Sequence, residues 1–128
     1  MNWGKRLLSV VVALPGVLFV IMGLRWLVDP AGIAPSLGLT LQTGFGLSSQ
    51  IGDLAAFFLV AGLSILLAVV TRQQIWFYPA VMLLSIAAVG RVVAWIAHGA
   101  ALVPQTILFE VVIAGLLLVA ARILPQKN

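Results

Sequence analysis

Four apolar stretches, each close to 20 residues long, dominate this sequence and constrain what it can fold into. They lie at approximately 5–28, 49–71, 75–98 and 104–124. An α-helix rises about 1.5 Å per residue, so each stretch is long enough to cross ~30 Å of hydrocarbon. The chain has 128 residues, of which 63% are hydrophobic and 8% charged, and so small a globule cannot bury that much apolar surface. The sequence therefore predicts an all-α integral membrane bundle of four spans, forming one domain over residues 1–128.

The connections between the spans differ in length. Residues 72–74 and 99–103 are short connections, which favour antiparallel neighbours and therefore an up-down bundle. Residues 30–48 form a long connection that carries no charge and many apolar side chains. We expect this connection to lie on the membrane surface or to fold over the mouth of the bundle. Ser48 or Ser49 is a suitable N-cap for the second span, because serine accepts a hydrogen bond from a free helical N–H.

The charged residues divide between the two ends of the spans and predict an orientation. Arg25 and Arg91 share one end with all three acids. The other end has five basic residues and no acid: Lys5, Arg6, Arg72, Arg122 and Lys127. By the positive-inside rule, both termini face the cytoplasm. We therefore expect a multi-pass membrane protein with residues 30–48 on the outer side.

The aromatic residues agree with these boundaries, since amphipathic rings prefer the membrane–water interface. Trp3, Trp76 and Tyr78 fall at the predicted inner interface, and Trp26 and Trp95 fall toward the outer one.

The charges at the predicted outer end form the only candidate site. Arg91 precedes His98 by seven residues and Glu110 follows Pro104 by six, so the two side chains lie at matching depth, ~10 Å from that end. We expect Arg91 to pair with Glu110, and Arg25 to pair with Asp53 or with Asp29.

Three interpretations of this candidate site are open. The pairs fix helix register and nothing binds, or they line a pocket that holds a polar headgroup or relays protons. In the third, one or more of the charged side chains extend to the lipid headgroups, which is easiest for Arg25 and Asp29. His98 borders the same region and adds an imidazole that can act as acid or base. The site residues are Arg25, Asp53, Arg91, His98 and Glu110.

Other short patterns are weaker signals. The small-residue spacings Ser64-xxx-Ala68 and Gly90-xxx-Ala94 indicate close packing of helices within the chain. Phe57 and Phe58 are interpreted as packing residues rather than as a ligand platform.

Several functional classes find no support in the sequence. The chain has no cysteine, which excludes disulfides and thiolate chemistry. His98 and the acids match no metal motif, and no nucleophile, phosphate loop or haem ligand pair is present. The net charge of +4 comes from residues scattered at span ends, which indicates lipid contacts rather than nucleic-acid binding. No cofactor is predicted, and a quinone or a lipid stays open as a ligand.

Several short motifs resemble a family of bacterial four-helix membrane proteins whose function is unknown and which is similar in outline to the DoxX-like group. The matching residues are Asp29-Pro-Ala-Gly32, Asp53-Leu-Ala-Ala-Phe-Phe58, Gly90-Arg91, His98-Gly99 and Glu110. The resemblance covers most of the chain, up to about Arg122, and implies a four-helix fold with an Asp53–Arg91–Glu110 core. An acid often occupies the family's position that is His98 here, so the role of His98 does not carry over. Some DoxX-like proteins are membrane subunits beside quinone-linked oxidoreductases, and others are assembly or trafficking factors.

Three functions are consistent with these features. The first is a binding or accessory protein, in which Arg91 meets the headgroup of a lipid-like or quinone-like molecule or a partner subunit contacts the same site. The second is a small transporter or proton-coupled channel that works as a homo-oligomer. The third is a membrane enzyme that uses Glu110 and His98 as acid and base, which has the least support.

Overall fold

The computed structural model describes residues 2–127, and every regular element in that range is helical. The four long helices are those predicted to span a membrane, and a short helix follows the first of them. All four are long and apolar enough to cross a membrane, so the chain is a membrane protein built on a helical bundle. The helices are α1 (Trp3–Val28), α2 (Pro30–Ile33), α3 (Gly44–Thr71), α4 (Phe77–His98) and α5 (Pro104–Ile123), with 3₁₀ turns at Ala34–Leu37 and Gln74–Trp76.

Side chains and glycines set the helix ends. The Asn2 side chain accepts a hydrogen bond from Lys5 N at 2.9 Å and begins α1, and the helix continues through Pro15. Asp29 ends α1 and begins α2, because its backbone N–H bonds Arg25 O at 2.7 Å and its carboxylate accepts from Gly32 N at 3.2 Å. Gly99 ends α4 with φ +69°, a conformation that glycine adopts without strain.

The second long helix begins earlier than the sequence suggested. α3 starts at Gly44 with Thr43 in the cap position, so the predicted N-cap at Ser48 or Ser49 is wrong. Of the predicted connection 30–48, only residues 38–43 lie outside a helix or 3₁₀ turn. Gln50 of α3 forms two hydrogen bonds to this stretch. Its side-chain amide accepts from Gln42 N at 2.8 Å and donates to Thr40 O at 3.1 Å.

The closest helix packing is between α1 and α3, where glycines let the two backbones approach. A side-chain carbon added to Gly62 would lie 2.6 Å from Gly16 O, and one added to Gly23 would lie 2.6 Å from Leu59. Ser64 and Ala68 are buried, in agreement with the packing role predicted for that spacing. α4 packs mainly on α5, and α3 contacts α4. The four long helices therefore surround a common interior.

The outer faces of the bundle are apolar and exposed. Leu14, Ile86 and Leu108 are each at least 64% exposed, as expected for side chains that face lipid. Trp3 and Trp95 are also exposed, but Trp26 is fully buried. Trp26 is therefore a core residue and not the interface anchor that its position in the sequence suggested.

Candidate functional site

A cavity of about 650 Å³ lies between the four long helices, within the range of about 300–1,000 Å³ that is usual for small-molecule sites. Each long helix contributes to its wall, and so does the connection that follows α2. The lining residues are Leu18, Phe19 and Met22 of α1, Leu37 and Leu39 of the connection, Leu54, Phe57 and Phe58 of α3, Leu84, Ala87, Gly90, Arg91 and Ala94 of α4, and Gln105, Thr106, Phe109 and Glu110 of α5.

The strongest polar contact in the cavity is the ion pair between Arg91 and Glu110. Arg91 Nε donates to Glu110 Oε1 at 2.8 Å. The Glu110 side chain is 8% exposed and the Arg91 side chain is 44% exposed, so the carboxylate is buried and its partner is only partly so. A buried carboxylate needs such a partner, because an unpaired charge in a low-dielectric surrounding is costly. The predicted pairing of these two residues is confirmed.

Two neutral polar residues from the first turn of α5 belong to the same cavity lining as this ion pair. Gln105 and Thr106 line the cavity, and the Thr106 hydroxyl donates to Val103 O at 2.8 Å. Its proton is therefore engaged, and its oxygen can still accept a hydrogen bond. We call Arg91, Gln105, Thr106 and Glu110 the polar end of the cavity.

The rest of the lining is apolar and partly aromatic. Phe19 and Phe58 are buried, with ring centroids 6.0 Å apart, and Phe19 meets Phe109 edge-on at 6.2 Å. Leu84 is also buried and lies seven residues before Arg91 on α4, a rise of roughly 10 Å. We call Phe19, Met22, Phe58 and Leu84 the apolar walls. A cavity with one polar end and apolar walls matches the polarity of an amphiphile.

The cavity brings together only two of the five predicted site residues, Arg91 and Glu110. Arg25 pairs with Asp29, Nη2 to Oδ2 at 3.6 Å, and does not line the cavity. This was one of the two partners predicted for Arg25, and the other, Asp53, is not used. Asp53 is exposed and forms no ion pair with any residue from 2 to 127. His98 is exposed and does not line the cavity either.

Sequence reasoning missed several lining residues. Phe57 and Phe58 were interpreted as packing residues, and both line the cavity. Gly90 was interpreted as a close helix contact, yet it lines the cavity, and a side-chain carbon added to it would meet no atom within 4 Å. The one signal in the sequence near Gly90 was its neighbour Arg91, which was a predicted site residue. The expectation that the connection covers the mouth of the bundle agrees with the places of Leu37 and Leu39 in the lining.

The described part of the chain contains no group of three His, Cys, Asp or Glu residues arranged to hold a metal ion. The chain matches no family model, no curated protein and no solved structure. The resemblance to the DoxX-like group therefore stays a prediction based on short motifs.

Proposed function

We propose that this protein binds a lipid-like or quinone-like amphiphile in the cavity, with the headgroup at the polar end and the tail against the apolar walls. The observation that carries the proposal is the combination in one cavity of a buried ion pair and aromatic and aliphatic walls. An ion pair that served helix register alone would need no open volume beside it. Binding sites for small molecules have this composition, mostly apolar with a few convergent polar groups.

The proposed setting is a bacterial inner membrane, with the helices in an up-down arrangement and both termini in the cytoplasm. Five basic residues at one end of the bundle support this orientation through the positive-inside rule. The cavity would then lie in the outer half of the bundle, and residues 30–43 would cover it. The resemblance to DoxX-like proteins supports an accessory role beside a membrane partner subunit, or in a homo-oligomer.

A transporter has less support than a binding protein. The buried residues of α3 and α5 beyond the apolar walls are Ala61, Ser64, Ile65, Leu117 and similar side chains. Ser64 is the one polar side chain among these described residues, and a single hydroxyl does not make a continuous polar path. An enzyme has the least support, because His98, the proposed partner of Glu110 in acid–base chemistry, does not line the cavity.

Native mass spectrometry of the protein extracted gently from its own membrane tests the proposal. We expect the wild-type chain to carry a small molecule and Arg91→Ala to lose most of it. Arg25→Ala is the matched control, because Arg25 also forms an ion pair but does not line the cavity. A wild-type chain that carries no small molecule, or equal occupancy in Arg91→Ala and wild type, would contradict the proposal.

A further inference from the structure

We propose that the polar end of the cavity selects an uncharged headgroup that both donates and accepts a hydrogen bond, namely a hydroxyl on an apolar tail, and discriminates against an anion. This inference rests on the proposed function and specifies the ligand's chemical class. A long-chain alcohol and a quinol share this chemistry.

The first step in the argument concerns charge. Among residues 2–127, Arg91 and Glu110 are the only charged residues that line the cavity, and they neutralise each other. An anionic headgroup that approached Arg91 would also approach the Glu110 carboxylate. It would enter a low-dielectric site without a net counter-charge, which costs far more than transferring a neutral group.

The second step concerns hydrogen-bonding capacity. The 2.8 Å bond joins Nε of Arg91 to Oε1 of Glu110. The terminal guanidinium nitrogens and Oε2 take no part in that bond, so the pair retains both donors and an acceptor for a ligand. A ligand hydroxyl can accept a hydrogen bond from the guanidinium while its O–H donates one to the carboxylate. An ether or a carbonyl only accepts, and would leave the carboxylate oxygen without a donor.

The third step concerns the two neutral neighbours. The Gln105 amide has both donors and an acceptor. The Thr106 O–H already donates its hydrogen bond to Val103 O, so the hydroxyl oxygen offers the ligand an acceptor. Both side chains therefore suit a hydroxyl, and neither supplies the positive charge that an anion would need.

Competitive photo-crosslinking with the full chain in lipid nanodiscs tests this inference. The probe is 1-decanol with a diazirine in its tail, and the modified residues are located by mass spectrometry. The competitors share one tail and differ in headgroup: 1-decanol, decylhydroquinone, decyl methyl ether and decanesulfonate. We expect the probe to label the apolar walls and at least one hydroxyl competitor to displace it. The ether should compete about tenfold more weakly, the ratio expected for loss of one hydrogen bond. The sulfonate should compete at least as weakly as the ether, because its charge meets no net counter-charge in the cavity.

The outcomes separate the ligand sources and the two proposals. Stronger competition by 1-decanol identifies an aliphatic alcohol, and stronger competition by decylhydroquinone identifies a quinol. An ether or sulfonate that competes as well as both hydroxyl compounds overturns the headgroup inference, while labelling of the walls still supports an amphiphile site. No labelling of the walls overturns the proposed function and the inference together.

A charge-removing variant makes a second test of the same inference. Glu110→Gln leaves Arg91 without its counter-charge, so we expect competition by decanesulfonate relative to 1-decanol to rise about tenfold. Asp29→Asn is the control, because it removes the partner of Arg25 outside the cavity and should leave the ratio unchanged. An unchanged ratio in Glu110→Gln would overturn the inference. The wild-type competition series decides the question if that variant does not fold.

Discussion

At the scale of single residues, the burial of Glu110 determines how the site responds to mutation. Its side chain is 8% exposed and its ion-pair partner is Arg91. Removing the partner leaves a buried carboxylate unpaired, whereas removing both charges leaves only a small space. The two residues should therefore be strongly coupled energetically.

We expect Arg91→Ala to lower the free energy of unfolding by ~2 kcal/mol, less than for a fully buried pair because the Arg91 side chain is 44% exposed. Adding Glu110→Gln should restore part of that loss, since the amide no longer needs a counter-charge. Equilibrium unfolding in mixed micelles of the two single variants and the double variant measures the coupling. Effects that simply add would show that the pair does not stabilise the fold.

The sequence was informative about Arg91 and Glu110 because their depth follows from helix rise on two helices joined by a short connection. It was not informative about Asp53 and Trp26. Both positions fit the predicted spans, but the exposed state of Asp53 and the complete burial of Trp26 depend on how α1 and α3 are rotated about their axes. The Trp26 indole N–H is buried and has no hydrogen-bond partner among residues 2–127, a feature that no pattern in the sequence indicates.

At the scale of elements, the α1–α3 interface depends on glycines. An added side-chain carbon at Gly62 would lie 2.6 Å from Gly16 O and 2.7 Å from Val20 N. Both are backbone atoms, so the helices themselves would have to separate. Gly52 lies on the same helix, and an added carbon there would meet no atom within 4 Å.

We expect Gly62→Ala to lower the free energy of unfolding by about 1–3 kcal/mol through this overpacking. Gly52→Ala should be neutral or stabilising by up to ~1 kcal/mol, because alanine favours a helix more than glycine does. Thermal unfolding of both variants in the same detergent provides the comparison. Equal losses of stability would show that α1 and α3 do not pack as closely as described.

The helices themselves were predictable because lipid requires long, continuous apolar stretches, and these are visible in the sequence. The start of α3 was not predictable in the same way. Gly44 and Gly46 suggest a loop, yet helix α3 begins at Gly44. Hydrogen bonds between Gln50 and the preceding connection join residues eight to ten positions apart, so local helix propensity does not indicate them.

At the scale of the whole molecule, the cavity was not predictable. It is the volume that four helices leave unfilled, and it depends on the sizes of side chains that meet from distant parts of the chain. The sequence located the polar end of the cavity through Arg91 and Glu110. The apolar walls, such as Phe58 and Leu84, have no feature that distinguishes them from ordinary core residues.

The absence of cysteine allows a direct test of the proposed orientation. Single cysteines introduced as Asn2→Cys and Lys127→Cys should react with a membrane-impermeant maleimide only after the inner membrane is opened. Ala101→Cys, in the connection between α4 and α5, should react in intact spheroplasts. The reverse pattern would invert the orientation, and different sides for Asn2→Cys and Lys127→Cys would exclude an up-down bundle of four spans.

The central claim, that the cavity holds an amphiphile, is tested most directly by filling it without disturbing the fold. Gly90 lines the cavity and Gly115 does not, while both lie on helices where an added side-chain carbon meets no atom within 4 Å. The measurement is the amount of small molecule that solvent extraction recovers per mole of purified protein. We predict that Gly90→Leu recovers less than about a tenth of the wild-type amount, as expected for a blocked site, and that Gly115→Leu recovers the full amount. Equal recovery from both folded variants would contradict the account.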